Sequence, residues 1–369
     1  MKFTCNTQLL NEACQNVQRA ASSKTTLPSI EGILLKAESN SLTLTGYDLE
    51  VGIVTTIDAK VEEAGSIIIN AKYLCDIVRN LPDELCSVFA DERQICKITS
   101  GDAEYSIMGI SATEYPELPS VSGGFPIILD GEIIKDMIKK TYFAAAENDV
   151  SKAVHSGVKF EIKPGSIRLV AVDGFRLAIR NEKFDYDGEE KNFVVPKKTL
   201  NEVIKLIPDG EIKVSMGVAK RHIIFEIGSY SIISRLLDGE FLDYRAAIPS
   251  NSSTVVKANL RRFIDAIERV SLIIADRNKS PIRCIFDNDL IRVSSSSTLG
   301  NANDKMVAQI QGNKVEIGFN NKFLLDALRV CDSDEVIVKL DGPVQPMIIV
   351  PNEGDSFLFL VLPMRLKKD

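Results

Sequence analysis

The feature that most constrains this chain is that it repeats itself. Three stretches share an apolar opening, an alternating strand and a polar corner: GILLKAESNSLTLTGYDLEVGI (32–53), GVKFEIKPGSIRLVAVDGFRLAI (157–179) and IRCIFDNDLIRVSSSSTLGNA (282–302). The first two place Asp48 and Asp173 at a spacing of 125 residues. A second block recurs as SIIINAKYLCDIVRNLPDELCSVFA (66–90), NFVVPKKTLNEVIKLIPDGEIKVSM (192–216) and VEIGFNNKFLLDALRVCDSDEVIVKL (315–340), each reading as strand, helix, short turn, strand. Asn70, Pro196 and Asn320 mark one point in the three, at spacings of 126 and 124. Each copy also opens on a helical pattern. In the second, Ile133, Ile134, Met137, Ile138 and Thr141 fall on one face at the 3.6-residue period. Self-similarity at a fixed period decides architecture ahead of any local signal.

The expectation is an α+β chain of three like domains, 1–124, 125–250 and 251–369, each with two helices packed on antiparallel sheets of roughly eight strands. The joints fall in SVSGGFP (120–126) and SNSSTVV (250–256). The six helices are expected at residues 8–21, 71–80, 131–143, 197–206, 259–271 and 321–330. A length of 369 residues agrees, being too great for one ordinary core. With 45% hydrophobic and 26% charged residues the chain reads as soluble and globular. The start, MKFTCNTQLLNEACQNVQ, interrupts its apolar residues with Asn, Gln and Glu, unlike a cleavable leader. No apolar run approaches the ~18 residues of a membrane helix. The seven cysteines are scattered, without a C-x-x-C pair, and read as reduced and mostly buried, hence cytoplasmic.

Net charge is −7, which taken alone argues against nucleic acid. Its distribution reverses that. The six predicted helices hold 14 lysines and arginines against eight acidic residues. The cations cluster on helix faces and starts: Lys135, Lys139 and Lys140; Lys197, Lys198 and Lys205; Arg261, Arg262 and Arg269; Lys322 and Arg329. Any one such face is ordinarily a solvated surface. Six biased alike in a threefold repeat suggest a shared basic surface, suited to the repeating anionic rod of a duplex.

Chemistry is thinly represented. There are two histidines, His155 and His222, and no P-loop, G-x-G-x-x-G, H-E-x-x-H or G-x-S-x-G pattern. Asp173 near Arg176 could serve acid/base chemistry, but a carboxylate beside Gly174 more often braces a turn. No metal, cofactor or intrinsic catalysis is expected. A repeat scaffold that gathers peptides without DNA stays open as an alternative.

MKFTCNTQLL at the start, Lys24-Thr25-Thr26-Leu27-Pro28, LTLTGYDLE (42–50), AVDGFRLA (171–178), VVPKK (194–198), LLDGEFLDYRAAIP (236–249), EIGFN (316–320) and LPMRL (362–366) resemble, in order and over the full length, the bacterial DNA polymerase III beta subunit family, the sliding clamps. The resemblance implies three DNA-clamp domains per chain and a head-to-tail homodimer closed into a six-domain ring. Helices would line the hole and sheets form the wall. It implies a processivity factor whose partners are duplex DNA, a second copy, the polymerase III catalytic subunit, the clamp loader, and other polymerases and repair proteins carrying clamp-binding peptides. By motif position Lys24, Lys72, Lys197 and Lys198 match the family's DNA-contacting cations, with Lys152 in ENDVSK (147–152) a further candidate. Tyr105 and Ile107 on an edge strand would meet Leu272 and Ile273 of the partner copy. Asp304 is what stands here for an acidic cluster at that contact.

The same resemblance places a peptide groove on His155, Val172, Gly174, Phe175, Arg176, Leu177, Leu242, Ala246, Ala247, Asn320, Phe323, Val344, Leu360, Leu362, Pro363, Met364 and Arg365. Small and apolar walls accept Leu and Phe anchors, while Asn, Arg and backbone groups satisfy the peptide's polar atoms. Phe175 stands where His is frequent, His155 where an apolar residue is common, and Ala246 and Ala247 make a smaller wall. A preferred peptide different from the family's is expected. Lys367-Lys368-Asp369 extends past the usual end.

Overall fold

The computed structural model describes residues 1–22, 25–120, 126–147, 153–274 and 280–366. Six α-helices form: α1 (Thr7–Val17), α2 (Ala71–Arg79), α3 (Gly131–Lys139), α4 (Lys197–Leu206), α5 (Leu260–Ser271) and α6 (Asn321–Arg329). Four begin on the same device. Asn6, Asn70, Asn259 and Asn320 each accept, through the side chain, the N–H of the residue three further on, which satisfies a donor the helix cannot. The α5 face Leu260, Phe263, Ile264, Ala266, Ile267 and Val270 is buried, at the spacing of one helical stripe. Two helices, α1 and α3, stop four residues short of their expected ends. α1 tightens into a 3₁₀ turn at Gln18–Ala20. After α3 the Thr141 hydroxyl donates back to the carbonyls of Met137 and Ile138, at 2.8 and 3.2 Å, competing with the backbone ladder.

The chain divides into two compact units, Met1–Ile134 with Lys198–Leu236, and Lys135–Lys197 with Leu237–Asp369, so the middle repeat contributes to both. All strand pairs named here are antiparallel. In the first unit a nine-stranded sheet runs 110–111, 65–70, 32–38, 41–47, 51–58, 230–235, 222–227, 213–218, 127–130. A five-stranded sheet runs 60–63, 2–6, 85–90, 95–100, 103–108. The second unit has a nine-stranded sheet, 191–196, 157–163, 166–172, 176–183, 357–361, 347–351, 335–340, 254–259, 309–312, and a four-stranded one, 300–307, 290–297, 282–287, 315–319. Each long sheet is two repeats joined edge to edge, through Val54↔Ser231 in one and Leu177↔Leu360 in the other. Pairing the repeats in this way consumes strand edges that would otherwise stay open.

All seven cysteines are free and buried. Burial pushes the Cys96, Cys284 and Cys331 thiols up to about 12, as expected of inert core thiols. No helix among the described residues is long and apolar enough to cross a membrane.

Candidate functional site

The second unit gathers most of the predicted groove residues around one turn. Strand Ser166–Val172 returns as Arg176–Lys183 through Asp173, Gly174 and Phe175. Asp173 braces the turn: its Oδ1 accepts the N–H of Phe175 and Arg176 at 2.9 and 3.0 Å. Gly174 sits at φ +86°, where a side chain would be strained.

Arg176 is the centre of the arrangement. Only 7% exposed, it donates from Nε to Asp173 Oδ2 at 2.9 Å and from Nη1 to Asp326 Oδ2 of α6 at 2.6 Å. Its guanidinium lies 4.4 Å from the centre of the Phe323 ring and 5.5 Å from that of Phe143. A desolvated cation between two ring faces and two carboxylates is held rigidly. Phe175, 60% exposed, stacks on Phe323 with centroids 5.9 Å apart. The resulting aromatic wall is half offered to solvent.

The floor is apolar. Val170, Val172, Leu177, Ile179, Tyr244 and Leu360 form one buried cluster, with Phe241, Ile248 and Leu358 packed against it. The C-terminal segment continues the wall: Leu362 N–H donates to Phe175 O and Met364 N–H to Gly318 O, both at 2.8 Å. A Cβ on Gly318 would meet Met364 O and Leu366 Cδ2 at 2.7 Å, so glycine admits this close approach. Strand Phe357–Val361, which supplies Leu360, is an interior strand paired on both sides. Asn320 spends its Oδ1 on the α6 cap, donated to by Phe323 N–H at 3.2 Å, so its amide NH₂ is the group left to face a partner.

The irregular segment after Leu237 packs on the same cluster through Phe241, Tyr244 and Ile248. Its 3₁₀ turn Tyr244–Ala247 holds Ala246 and Ala247 outward, and Leu242 is 41% exposed. Tyr244 anchors it by donating to Glu161 Oε2 at 2.9 Å, and Arg245 pairs with the same oxygen at 3.1 Å. Burial pushes the Glu161 carboxyl up, but hydrogen bonds from Lys159 and Tyr244 and the charges of Lys159 and Arg245 outweigh it, leaving it below its ordinary value. His155, buried, packs edge-on to Phe241 at 5.6 Å. A cavity of about 500 Å³ lies beside Leu242, lined by Ala153, Val154 and residues 238–243. Val344 is 77% exposed in the loop before strand Met347–Pro351 and takes no part in the apolar cluster.

The candidate cations divide. Lys24 and Lys152 lie outside the described residues, as do Lys367, Lys368 and Asp369. Lys72 is exposed on α2, without an ion pair among the described residues. Lys197 is 3.7 Å from Glu147, donates to Ala145 O at 3.5 Å and lies over the Tyr142 ring. Lys198 pairs with Asp48 and stands 4.0 Å from Glu50. Lys140, expected on a basic helix face, is instead 4% exposed and bound to Asp136 and Asp332, each at 2.7 Å. It is a structural cation.

Of the candidate association residues, two lie on an open sheet edge and two in the turn after α5. Tyr105 and Ile107 belong to Ala103–Met108, the last strand of the five-stranded sheet, and alternate with exposed neighbours that include Met108 at 71%. Leu272, just past α5, is 82% exposed, with Ile273 beside it half-buried. Strand Gly300–Val307 is likewise a sheet edge, and its Asp304 is taken by Arg269 at 2.6 Å.

Sequence reasoning did not reach Phe143, Asp326, Glu161, Phe241 or Tyr244 as parts of the site. Tyr244 carried a signal, an aromatic inside the quoted LDYRAAIP. The Asp326 pairing crosses 150 residues and leaves no local trace.

Models of the DNA polymerase III beta subunit match the chain in three consecutive pieces: the N-terminal domain at residues 1–119, the central domain at 128–243 and the C-terminal domain at 245–365. The beta sliding clamp of Staphylococcus epidermidis is 32% identical over 99% of both chains. Among solved structures, the DNA polymerase sliding clamp of Bacillus subtilis superposes with a TM-score of 0.96 at 30% identity, covering 100% of each chain. A putative DNA polymerase III beta subunit from Eubacterium rectale gives 0.95 at 33% identity over 99% of each.

Proposed function

The chain belongs to the DNA polymerase III beta subunit family, the bacterial sliding clamps, and from that premise we propose which residues carry each part of the work. It is a processivity factor without a catalytic step. Two copies close into a ring around duplex DNA and tether the replicative polymerase, the clamp loader and other clamp-binding proteins. Its three clamp domains are assigned to 1–124, 125–250 and 251–369, and its place of action to the cytoplasm, in keeping with seven unpaired thiols.

The groove around Arg176 is the partner-peptide site. The observation that carries this is a rigid cation and an exposed aromatic wall standing beside an apolar cluster, with Leu242, Ala246 and Ala247 outward on the segment that packs against that cluster. Apolar peptide anchors would settle on the Leu177 and Leu360 side, and peptide amides would meet Asn320 and the backbone near Leu362. His155, Val172, Gly174, Phe323, Val344, Pro363, Met364 and Arg365 complete the assignment by motif position. Lys24, Lys72, Lys152, Lys197 and Lys198 are assigned to phosphates. Tyr105 and Ile107 with Leu272 and Ile273 are assigned to ring closure.

Loading tests the whole. Incubated with clamp loader and ATP, the protein should stay on nicked circular DNA and leave once the circle is linearised; equal retention on both would refute encirclement. Lys197→Glu with Lys198→Glu should lower retention on DNA while peptide affinity is unchanged, and no loss would strike these two from the contact list.

A further inference from the structure

The turns at Asp48 and Asp173 are one structure that spends its second carboxylate oxygen in two ways. In both, Oδ1 accepts the N–H of the residues two and three positions on: Glu50 and Val51 at 3.0 and 2.8 Å, Phe175 and Arg176 at 2.9 and 3.0 Å. In both, the next residue is left-handed, Leu49 at φ +75° and Gly174 at +86°. Asp173 Oδ2 then takes Arg176 of its own turn. Val51 occupies the position of Arg176 in the first repeat and offers no cation, so Asp48 Oδ2 takes Lys198 of α4 instead, with Glu50 at 4.0 Å. One further period on stands Thr298, which has no carboxylate.

Lys198 has counterparts in the other second helices, Lys72 lying 126 residues before it and Lys322 lying 124 after. Both are exposed, and neither makes an ion pair among the described residues. The middle lysine of the three is therefore the one with a resident anion. Asp48 is well placed for that role: its side chain is 9% exposed and fixed by two backbone donors, while Lys198 remains 52% exposed and open to an outside ligand.

We propose that Asp48, helped by Glu50, is an internal stand-in for phosphate at Lys198, positioning the ammonium and discounting its contact with duplex DNA. This rests on the assignment of Lys198 to DNA. A phosphate met by Lys72 displaces counterions and adds about 0.9 to the slope of log affinity against log salt. A phosphate met by Lys198 must first displace a carboxylate, so it adds less. For a ring held on DNA by topology, a compensated cation orients the duplex without gripping it.

The test is a cycle on the full-length protein with a short fluorescent linear duplex, its anisotropy followed from 50 to 200 mM salt. Asp48→Asn keeps Oδ1 for the turn and removes the charge. It should steepen the salt slope by up to about 0.9 and raise affinity at 50 mM relative to 200 mM by up to about threefold. Glu50→Gln should act in the same direction more weakly, and serves if Asp48→Asn loses the dimer mass by light scattering. Lys198→Ala should cost little slope in the native background and about one contact in the Asp48→Asn background, whereas Lys72→Ala should cost one contact in both. If Lys198→Ala costs the same slope in both backgrounds, the stand-in role is overturned while the DNA assignment survives. If Lys198→Ala changes nothing in either background, the assignment falls and this inference with it.

Discussion

Removing the Arg176 charge is the sharpest perturbation of the groove. Arg176→Met retains an unbranched stem between the Phe323 and Phe143 rings but strips the cation from Asp173 and Asp326. With charge centres roughly 4 Å apart and an effective dielectric near 20, the Coulomb attraction to one carboxylate is about 4 kcal/mol. Desolvation takes back part, leaving about 2 kcal/mol for a charge-assisted hydrogen bond. Stranding two carboxylates raises the cost of the single substitution to roughly 3–5 kcal/mol. Asp326 lies on α6, so the local readout is hydrogen exchange of the α6 amides, which needs no two-state unfolding of a multidomain chain. Asp326→Asn should speed that exchange about 30-fold, the equivalent of about 2 kcal/mol. In the Arg176→Met background the same substitution should add almost nothing. Peptide affinity should fall in both single variants, because Arg176→Met takes the cation from the Phe323 ring and Asp326→Asn removes one of the two carboxylates that hold it there. An Asp326→Asn effect on exchange that is equal in the two backgrounds would refute the pairing on which this picture of the groove depends.

Three further outcomes are expected. Glu161 has a folded carboxyl below its ordinary 4.5, so its contribution is complete above pH 4.5 and fades as pH falls through the folded value. The gap in denaturation midpoint between the native protein and Glu161→Gln should therefore shrink on acidification from pH 7 to pH 3, and a constant gap would contradict it. Deleting residues 362–369 removes the bonds from Leu362 to Phe175 and from Met364 to Gly318 and should abolish binding of a polymerase-derived peptide while the dimer persists; full peptide affinity in the truncated protein would end the groove assignment. Leu272→Asp places a charge on an 82% exposed apolar residue and should cost little in monomer stability but reduce the solution mass from two chains to one; an unchanged mass would move the dimer contact elsewhere.

What the amino-acid sequence disclosed follows the range of the interactions concerned. Helix starts were legible because Asn70 and Asn320 act on a donor three residues away, and the period of 3.6 marked the α3 core face. The brace at Asp173 was legible for the same reason, being local to one turn. Lys140 misled although its N–H still makes the helical bond to Asp136 O at 2.9 Å, because distant parts of the chain cover its side chain. Its ammonium lies over the Phe357 ring and on Asp332, partners about 200 residues away in the chain. The stack of Arg176 between Phe143 and Phe323 was hidden likewise, since nothing local to AVDGFRLA names the rings that cover it.

The repeat also explains why one turn carries a groove and its counterpart does not. Counting back 125 residues, Val172 becomes Tyr47, Arg176 becomes Val51 and Leu177 becomes Gly52. In the first repeat the large residue is Tyr47, which packs into a cluster with Ile68 and Tyr115, with Leu34, Ile110 and Leu118 against it. Gly52 is the compensation: a Cβ there would meet Leu118 Cδ2 at 2.9 Å and the Tyr47 ring at 3.3 Å. Tyrosine plus glycine thus fills from within the space that valine plus leucine leaves as a floor in the second repeat. The charged residues follow the same logic. Without an arginine to hold Asp173's counterpart, the carboxylate of Asp48 turns outward to a helix lysine, whereas Arg176 keeps its carboxylate partners at the aromatic wall of the groove. Phe175→Glu would give the second turn the residue of the first, since Glu50 stands at the matching position. It should weaken peptide binding by removing the exposed half of the aromatic wall, and because Phe175 is 60% exposed it should do so with little loss of stability. A variant that bound peptide as tightly as the native chain would show that the wall is ornamental and that the apolar floor alone makes the site.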